Sequence, residues 1–420
     1  MTDVLPGLRT ATLENGLRIV TERNPSQRSA SLSWFIPGGT AQDPIERGDG
    51  WATLLSEYLL RGAGEHDSRG FSDALDRLGA RRSVVANTYH HRLSATVPGK
   101  HLTALLDLMA DLILRPAFPD AALDSVKSLC LQELEGLEDD PAHLAAIRLD
   151  EIRYPPPFDR HGLGVAAHLR DADRGSLAAH WNRIARPGGA ILAIAGDVDH
   201  DRVVEHLAAS LEPWRGEGFV PEPSGPARGG ICRTERETAQ VHLGIGLPGP
   251  IARDPDTLPF RIAVGVLGGG TSSRLWLEVR ERRGLAYSIG ARFDEGYAIG
   301  GVTIVGGTTP ERVGETIEQI DSVLEGFASG PEKDEVVRVV RGLRAGGLMQ
   351  MEQGPTRARQ IALDVFRRGA ARTIEEILSA YEDVGFDDVV RVVETRMGPS
   401  WRSDAVRSVL GPGSTTSAIS

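Results

Sequence analysis

The stretch SLSWFIPGGTAQDP, Ser31–Pro44, is an apolar run that breaks on Pro-Gly-Gly and closes on Asp-Pro. A run of that kind reads as a β-strand, and the Pro-Gly that follows it ends the strand in a turn. The device returns as VHLGIGLPGPIARDP, Val241–Pro255. Both copies contain P-G-x-x-A-x-D-P, at Pro37–Pro44 and at Pro248–Pro255, and each is followed by a helix-like stretch. Further along, SATVPGKHLTALLDLMADLI (Ser94–Ile113) faces GGVTIVGGTTPERVGETIEQIDSVL (Gly300–Leu324). Each is a strand, a turn and an amphipathic helix, with Leu102, Leu105, Leu106 and Met109 at helical spacing. Matches in the same order with the same flanking elements indicate internal duplication.

Alternating strands and long helices, with hairpin-like turns among the strands, predict an α+β protein of two homologous domains. Each domain is expected to be a mainly antiparallel sheet with helices packed on one face, and together they would form half of a clamshell. The division falls in WRGEGFVPEPSGPARGG, Trp214–Gly230, which is dense in Pro and Gly and reads as a linker. The expected domains are residues 1–213 and 231–410, and the tail 411–420, GPGSTTSAIS, is expected to be disordered.

The totals narrow the function. The chain has 420 residues, which suits two domains, and its 40% hydrophobic and 25% charged content is that of a folded globular protein. A formal charge of −11 argues against nucleic acid or an anionic membrane as the main partner. No basic stretch followed by an apolar run opens the chain, and no apolar run is long enough to span a membrane, so a cytoplasmic protein is expected. The two cysteines, Cys130 and Cys232, form no CxxC pattern, which fits a reducing compartment; Cys130 lies in an apolar-periodic run and reads as a buried small hydrophobe.

GWATLLSEYLLRGA, Gly50–Ala63, places Trp51, Leu54, Leu55, Tyr58 and Leu59 on one helical face. Its frame of Gly50, Ala52, Leu55, Leu59 and Gly62 resembles the zinc helix of the pitrilysin (insulinase) family of metallopeptidases. In active members of that family this helix carries His-x-x-Glu-His. Two histidines at i and i+4 share a face and ligate one zinc, and the Glu takes a proton from the metal-bound water. Here Thr53 stands at the first His, Ser56 at the Glu and Glu57 at the second His. Glu133, in LQELEGLEDDP, occupies the place of the family's downstream Glu ligand. The resemblance therefore implies a chain that holds no catalytic zinc of its own. The histidines offer no substitute: His90 and His91 are neighbours on a strand and point to opposite faces. His161 and His168 flank a Gly-rich turn and are read as structural.

The second half keeps what the first has lost. GGGTSSRLWLEVRERRGLAYS, Gly268–Ser288, resembles the family segment in which Arg, six residues and Tyr lie in a frame like S-S-R-L-F-x-x-L-R-E-K-R-G-L-A-Y-S. Arg280 and Tyr287 have that spacing, and Ser272, Ser273, Arg274, Leu275, Glu281, Arg283, Gly284, Leu285 and Ala286 match around them. By resemblance, Tyr287 would donate to the oxyanion of a peptide bond under attack, and Arg280 would position the substrate backbone. The structural alternative is that both side chains merely pin the Gly284 turn to the preceding helix. Gly268–Gly270 is not followed by Gly-Lys-Ser/Thr, so it is no phosphate loop. Glu278 and Glu281, interleaved with Arg280, Arg282 and Arg283, read as a salt-bridged helix face.

Loss of the zinc residues with retention of Arg and Tyr resembles the partner subunit of two-chain members. The expected function is that of the non-zinc-binding subunit of a heterodimeric metalloendopeptidase that processes peptides or precursor segments. A homologous His-x-x-Glu-His subunit would bring the zinc, and this chain would be inactive alone. The substrate would be an extended peptide added to a sheet edge. The rival readings are a catalytically silent scaffold of the same fold, a stand-alone peptide-binding protein, and a self-sufficient peptidase using Glu57, Glu133 and an unrecognised His.

Overall fold

The computed structural model describes residues 7–413. The described residues form two compact units. The first comprises residues 7–135, 162–221 and 349–374, and the second residues 136–161, 222–348 and 375–413.

The first unit is built on a six-stranded sheet. Its strands are β1 (Leu8–Thr12), β2 (Arg18–Arg23), β3 (Ser29–Pro37), β6 (Arg81–Ala86), β7 (His90–Pro98) and β8 (Ile191–Gly196), in the order β1-β2-β8-β3-β7-β6. A two-residue hairpin, β4 (Gly62–Ala63) with β5 (His66–Asp67), stands apart. Only β2 and β8 run parallel. The second unit carries a five-stranded sheet of β9 (Ile231–Glu235), β10 (Val241–Pro248), β11 (Ser288–Asp294), β12 (Gly301–Thr308) and β13 (Val406–Gly411), in the order β11-β12-β10-β13-β9. Only β13 and β9 run parallel.

The duplication is visible in this wiring. Read outward from β3, the neighbours are β7 then β6 on one side and β8 then β2 on the other; from β10 they are β12 then β11 and β13 then β9. The senses of pairing agree at every step, and only β1 lacks a counterpart. The two P-G-x-x-A-x-D-P copies begin at the last residues of β3 and β10, at equivalent sites: Pro37 lies opposite His90 and Pro248 opposite Gly301.

Most helices of each unit pack on one sheet face, as the apolar patterning predicts. In the first unit Leu32, Trp34, Ile36, Leu192 and Ile194 meet the helices Trp51–Leu59, Ser68–Arg77, Leu102–Leu114, Arg174–Ile184 and His200–Ser210. In the second, Leu243, Ile245, Val302 and Ile304 meet Thr257–Gly268, Val313–Phe327 and Phe386–Arg396. The structure adds one helix to each opposite face. Gly354–Arg368 lays Ala358, Ile361, Ala362 and Val365 on Val20, Phe35, Ile191, Ala193 and Ala195. Pro141–Arg153 lays Leu144, Leu149 and Ile152 on Leu410 and Val406. This is why β8, ILAIAG, is buried at every position: a strand covered on both faces reads as a continuous apolar run.

These two helices come from the opposite half of the chain, so each unit draws on both halves rather than on one uninterrupted block. The stretch expected to be a linker also differs at its start. Trp214 is buried, donates its indole N–H to the Ala185 carbonyl at 2.8 Å and meets Trp34 edge to face. At the other end Gly411 closes β13, and residues 414–420 of the expected tail lie outside the described residues.

A degenerate zinc helix and an exposed arginine–tyrosine loop

The helix Trp51–Leu59 is fixed from below and from its N-terminus. Leu54, Leu55, Tyr58 and Leu59 are fully buried in the first unit's core. The helix opens on Gly50 at φ 99°, where a Cβ would stand 2.8 Å from the Gly164 Cα. Asp43, the acidic residue of the first P-G-x-x-A-x-D-P copy, caps this end. Its buried carboxylate accepts from the Gly50 and Ala52 N–H groups at 3.1 and 2.9 Å, which satisfies donors that a helix N-terminus leaves without partners.

Two buried histidines complete the seating. His91 Nε2 lies 3.0 Å from the Ala52 carbonyl, and the ring packs edge-on against Trp181. His180 packs edge-on against Trp51. Burial drives both toward the neutral form, His91 down to about 4 and His180 down to about 3, the latter helped by Arg183. His90 faces the other side of the sheet, stacked on Phe35 with ring centroids 3.7 Å apart and edge-on to Phe366. Burial, with His91 and Arg92 nearby, lowers it to about 3. The adjacent pair therefore serves two cores rather than one ligand site.

The positions that correspond to the zinc residues are occupied in other ways. The Thr53 hydroxyl donates to the Gly162 carbonyl at 2.7 Å. Ser56 is 5% exposed, and its hydroxyl donates back along the helix to the Ala52 carbonyl at 3.0 Å. Glu57 is half-buried, with Arg61 at 3.8 Å one turn on. Glu133, on the helix Asp120–Gly136, is exposed; its carboxylate and that of Glu57 both act on the Cys130 thiol, which burial above all pushes up to about 12. Glu57 and Glu133 thus share one electrostatic neighbour, the Cys130 thiol. Two hydroxyls already spent on carbonyls and two carboxylates do not make the nitrogen-rich donor set of a catalytic zinc site. Among the described residues no group of three or more His, Cys, Asp or Glu side chains is arranged to hold a metal ion.

In the second unit the segment that precedes Tyr287 is a π-helix, Trp276–Glu281, a form that sequence periodicity does not signal. Its wider ring shows in the bond from the Arg282 N–H to the Leu277 carbonyl, at 2.9 Å. Val279 is buried beneath it, and Arg280 lies with its guanidinium carbon 3.9 Å from the Trp276 ring centroid. The chain then turns at Gly284, φ 58°, buries Leu285 and Ala286, and enters β11.

Other residues hold this turn. Arg312 donates to the Gly284 and Arg283 carbonyls at 2.7 and 3.1 Å, and the Thr308 hydroxyl donates to the Leu285 carbonyl at 2.6 Å. The Tyr287 N–H donates to the Gly307 carbonyl at 2.9 Å, while its side chain is 60% exposed. Neither the Tyr287 hydroxyl nor the Arg280 guanidinium has a hydrogen-bond or ion-pair partner among the described residues. The neighbouring guanidiniums do: Arg274 forms a two-pronged pair with Glu335 at 3.0 and 2.7 Å, and Arg282 pairs with Glu278. Of the expected salt-bridged face, the Arg282–Glu278 pair is present, whereas Arg274 pairs with Glu335 of another helix. The side-chain hydrogen bonds that pin the Gly284 turn come from Arg312 and Thr308.

Such a fold and such a loop define a class of zinc peptidase-like protein. Residues 18–155 match the family model of Insulinase (Peptidase family M16), and residues 171–343 match that of the Peptidase M16 inactive domain. The chain belongs to peptidase family M16, the pitrilysin-like peptidases, as a member lacking the zinc motif. It is 28% identical over 417 residues to an uncharacterized zinc protease of Mycobacterium bovis, covering 96% of this chain and 93% of that protein. A second uncharacterized zinc protease, of Streptomyces coelicolor, is 27% identical over 425 residues, covering 96% and 90%. Among solved structures, the peptidase M16 inactive domain from Pseudomonas fluorescens superposes with a TM-score of 0.88 at 21% identity, covering 97% of this chain and 98% of that one. A protease from Helicobacter pylori gives 0.87 at 16%, covering 97% and 100%. No helix among the described residues is long and apolar enough to cross a membrane.

Proposed function

We propose that this chain is the non-zinc-binding subunit of a heterodimeric metalloendopeptidase that processes peptides or precursor segments. Its partner is a homologous subunit carrying His-x-x-Glu-His, which contributes the zinc and the residues that hold it. A zinc held by that subunit's two histidines would supply the activation of water for hydrolysis. This chain contributes Arg280 and Tyr287. The observation that carries the reading is their joint state: a phenol and a guanidinium, seven residues apart across a pinned turn, neither with a hydrogen-bond or ion-pair partner among the described residues.

The chemistry follows from their donors. The Tyr287 hydroxyl is free to donate to the oxyanion that develops on the attacked carbonyl, an interaction stronger in the transition state than with the neutral substrate. Arg280 sits over the Trp276 ring with no hydrogen-bond or ion-pair partner among the described residues, so its N–H groups can donate to a substrate backbone carbonyl. Stacking also limits the rotamers of a long side chain, so less entropy is lost when substrate binds.

Cleavage of a fluorogenic peptide library tests the reading. The purified chain alone, the His-x-x-Glu-His subunit alone and the equimolar mixture are compared. Cleavage by the mixture far above the sum of the two separate rates supports a shared site. A mixture no faster than its parts makes this chain a bystander, and zinc-dependent cleavage by this chain alone overturns the assignment of Thr53, Ser56 and Glu57.

A further inference from the structure

The sheet face that carries Phe35 and His90 is covered by the Gly354–Arg368 helix over β3 and β8 and scarcely over β7. β6, the edge strand, continues that face into solvent. Strand register says which side chains lie there. Arg81, Ser83 and Val85 stand opposite Thr96, Ser94 and Arg92, and residues directly opposite one another share a face. All three of the β6 residues are exposed, whereas Arg82 turns to the other face and bonds to Asp76 and Ser72.

Two pairs of guanidiniums occupy this face. Arg92 is half-buried beside Arg359 of the covering helix, and its Nε is buried without an acceptor. Burial first, and the Arg359 charge second, lower the Arg92 pKa from its ordinary value. At the other end of the strands a cavity of about 450 Å³ is lined by Arg28, Arg81, Ser29, Thr96 and Pro98, among others, and by no Asp or Glu. None of Arg28, Arg81, Arg92 and Arg359 has a carboxylate partner among the described residues. The chain carries 58 acidic against 47 basic residues, so carboxylates are in excess, yet none is placed here. A half-buried cation without a counter-charge loses solvation that an incoming anion restores.

We propose that this face recognises an extended acidic peptide, one carboxylate meeting Arg92 and Arg359 and a second meeting Arg28 and Arg81. The inference rests on the proposed peptidase function and names the class of peptide. The spacing sets the pattern. Arg81 lies four residues along β6 from Val85, which stands opposite Arg92. At about 3.4 Å per residue the two cation positions are roughly 14 Å apart along the strand. An extended peptide running alongside β6 presents alternate side chains to one face, so acidic residues at i and i+4 match, and those at i and i+3 do not. A peptide fits better than a nucleic acid because the chain as a whole repels polyanions.

Fluorescence anisotropy with the intact chain alone tests this, using short labelled peptides of a Ser/Thr/Val background. One carries Glu at i and i+4, one Glu at i and i+3, and one Lys at i and i+4. The first is expected to bind about tenfold more tightly than the lysine peptide, the loss of one charge-assisted pair. It should also bind better than the i, i+3 peptide, and added salt should weaken it. Arg81→Glu and Arg359→Glu, both at exposed side chains, should each erase the preference while the melting temperature stays unchanged. Equal affinity for the three peptides overturns the proposal. So does equal competition by a single-stranded oligonucleotide, which would mark a diffuse basic surface. The assay contains no partner subunit and no cleavage, so its failure leaves the role of Arg280 and Tyr287 standing, and failure of that role leaves a measured preference standing.

Discussion

The two copies of P-G-x-x-A-x-D-P give Asp43 and Asp254 the same place in sequence but different work, which yields a prediction with an internal control. Asp43 is wholly buried and accepts from the Gly50 and Ala52 N–H groups at the start of the Trp51–Leu59 helix. Asp43→Ala removes two hydrogen bonds to a charged acceptor and strands two buried donors. At about 1.5–2 kcal/mol each, the loss is about 3–4 kcal/mol. For a unit of roughly 200 residues that corresponds to a fall of about 6–16 °C in melting temperature. Asp254 is partly exposed, accepts from the Asp256 N–H at 2.9 Å and pairs with Arg396 at 3.0 Å near the surface. Asp254→Ala should cost about 1 kcal/mol. Urea denaturation followed by far-UV circular dichroism gives both values. A loss below about 1 kcal/mol for Asp43→Ala, or equal losses for the two, would refute the reasoning that Asp43 anchors the degenerate zinc helix.

Three further outcomes are expected. Gly50→Ala forces a Cβ into a left-handed backbone position and against the Gly164 Cα, so it should lose more than about 2 kcal/mol; a neutral result in the same urea assay would contradict the described turn. The pKa values of His91 and His180, about 4 and about 3 when folded, lie below the unfolded value of 6.5, so the unfolded chain binds more protons between those limits. Stability of the first unit should therefore be full above pH 6.5 and fall as pH drops toward 4, by up to about 1.4 kcal/mol per pH unit for each histidine. His91→Asn should make that profile shallower while His90 and His180 keep the rest of the slope, and a wild-type stability unchanged between pH 6.5 and 5 would count against buried neutral histidines. Zinc, added in excess of chelator, should leave the melting temperature of this chain unmoved, because Thr53 and Ser56 have spent their hydroxyls on carbonyls; a rise of several degrees would reveal a site the side chains do not suggest.

Much of the design is legible in the residues. The duplication follows from two short motifs, and the strand wiring around β3 and β10 repeats it step for step. The zinc helix is recognisable from its apolar frame, because packing demands survive when ligands do not: Leu55 and Leu59 still fill the core beneath Thr53 and Ser56. What escaped has a physical reason in each case. Helical periodicity shows that Pro141–Arg153 and Gly354–Arg368 have apolar stripes, but not which sheet receives them, and each goes to the unit opposite its own half of the chain. The unbroken apolar run ILAIAG of β8 is the one sign in the sequence that both faces of that strand are covered. The π-helix at Trp276 depends on one residue's offset in hydrogen bonding, which side-chain patterning does not encode. Trp214, in a stretch dense in Pro and Gly, reads as a linker residue until its indole is found bonded to Ala185 inside the core.

Tyr287 is proposed to act on the transition state of a reaction whose metal lies in another chain. Single-turnover kinetics of the mixed subunits with wild-type chain and with Tyr287→Phe address it most directly. The phenylalanine keeps the ring at an exposed position and removes only a hydroxyl that has no partner among the described residues. The expected result is a fall of about 10²–10³-fold in kcat with KM nearly unchanged and the melting temperature intact. An unchanged kcat would contradict it and leave this chain a scaffold for its partner.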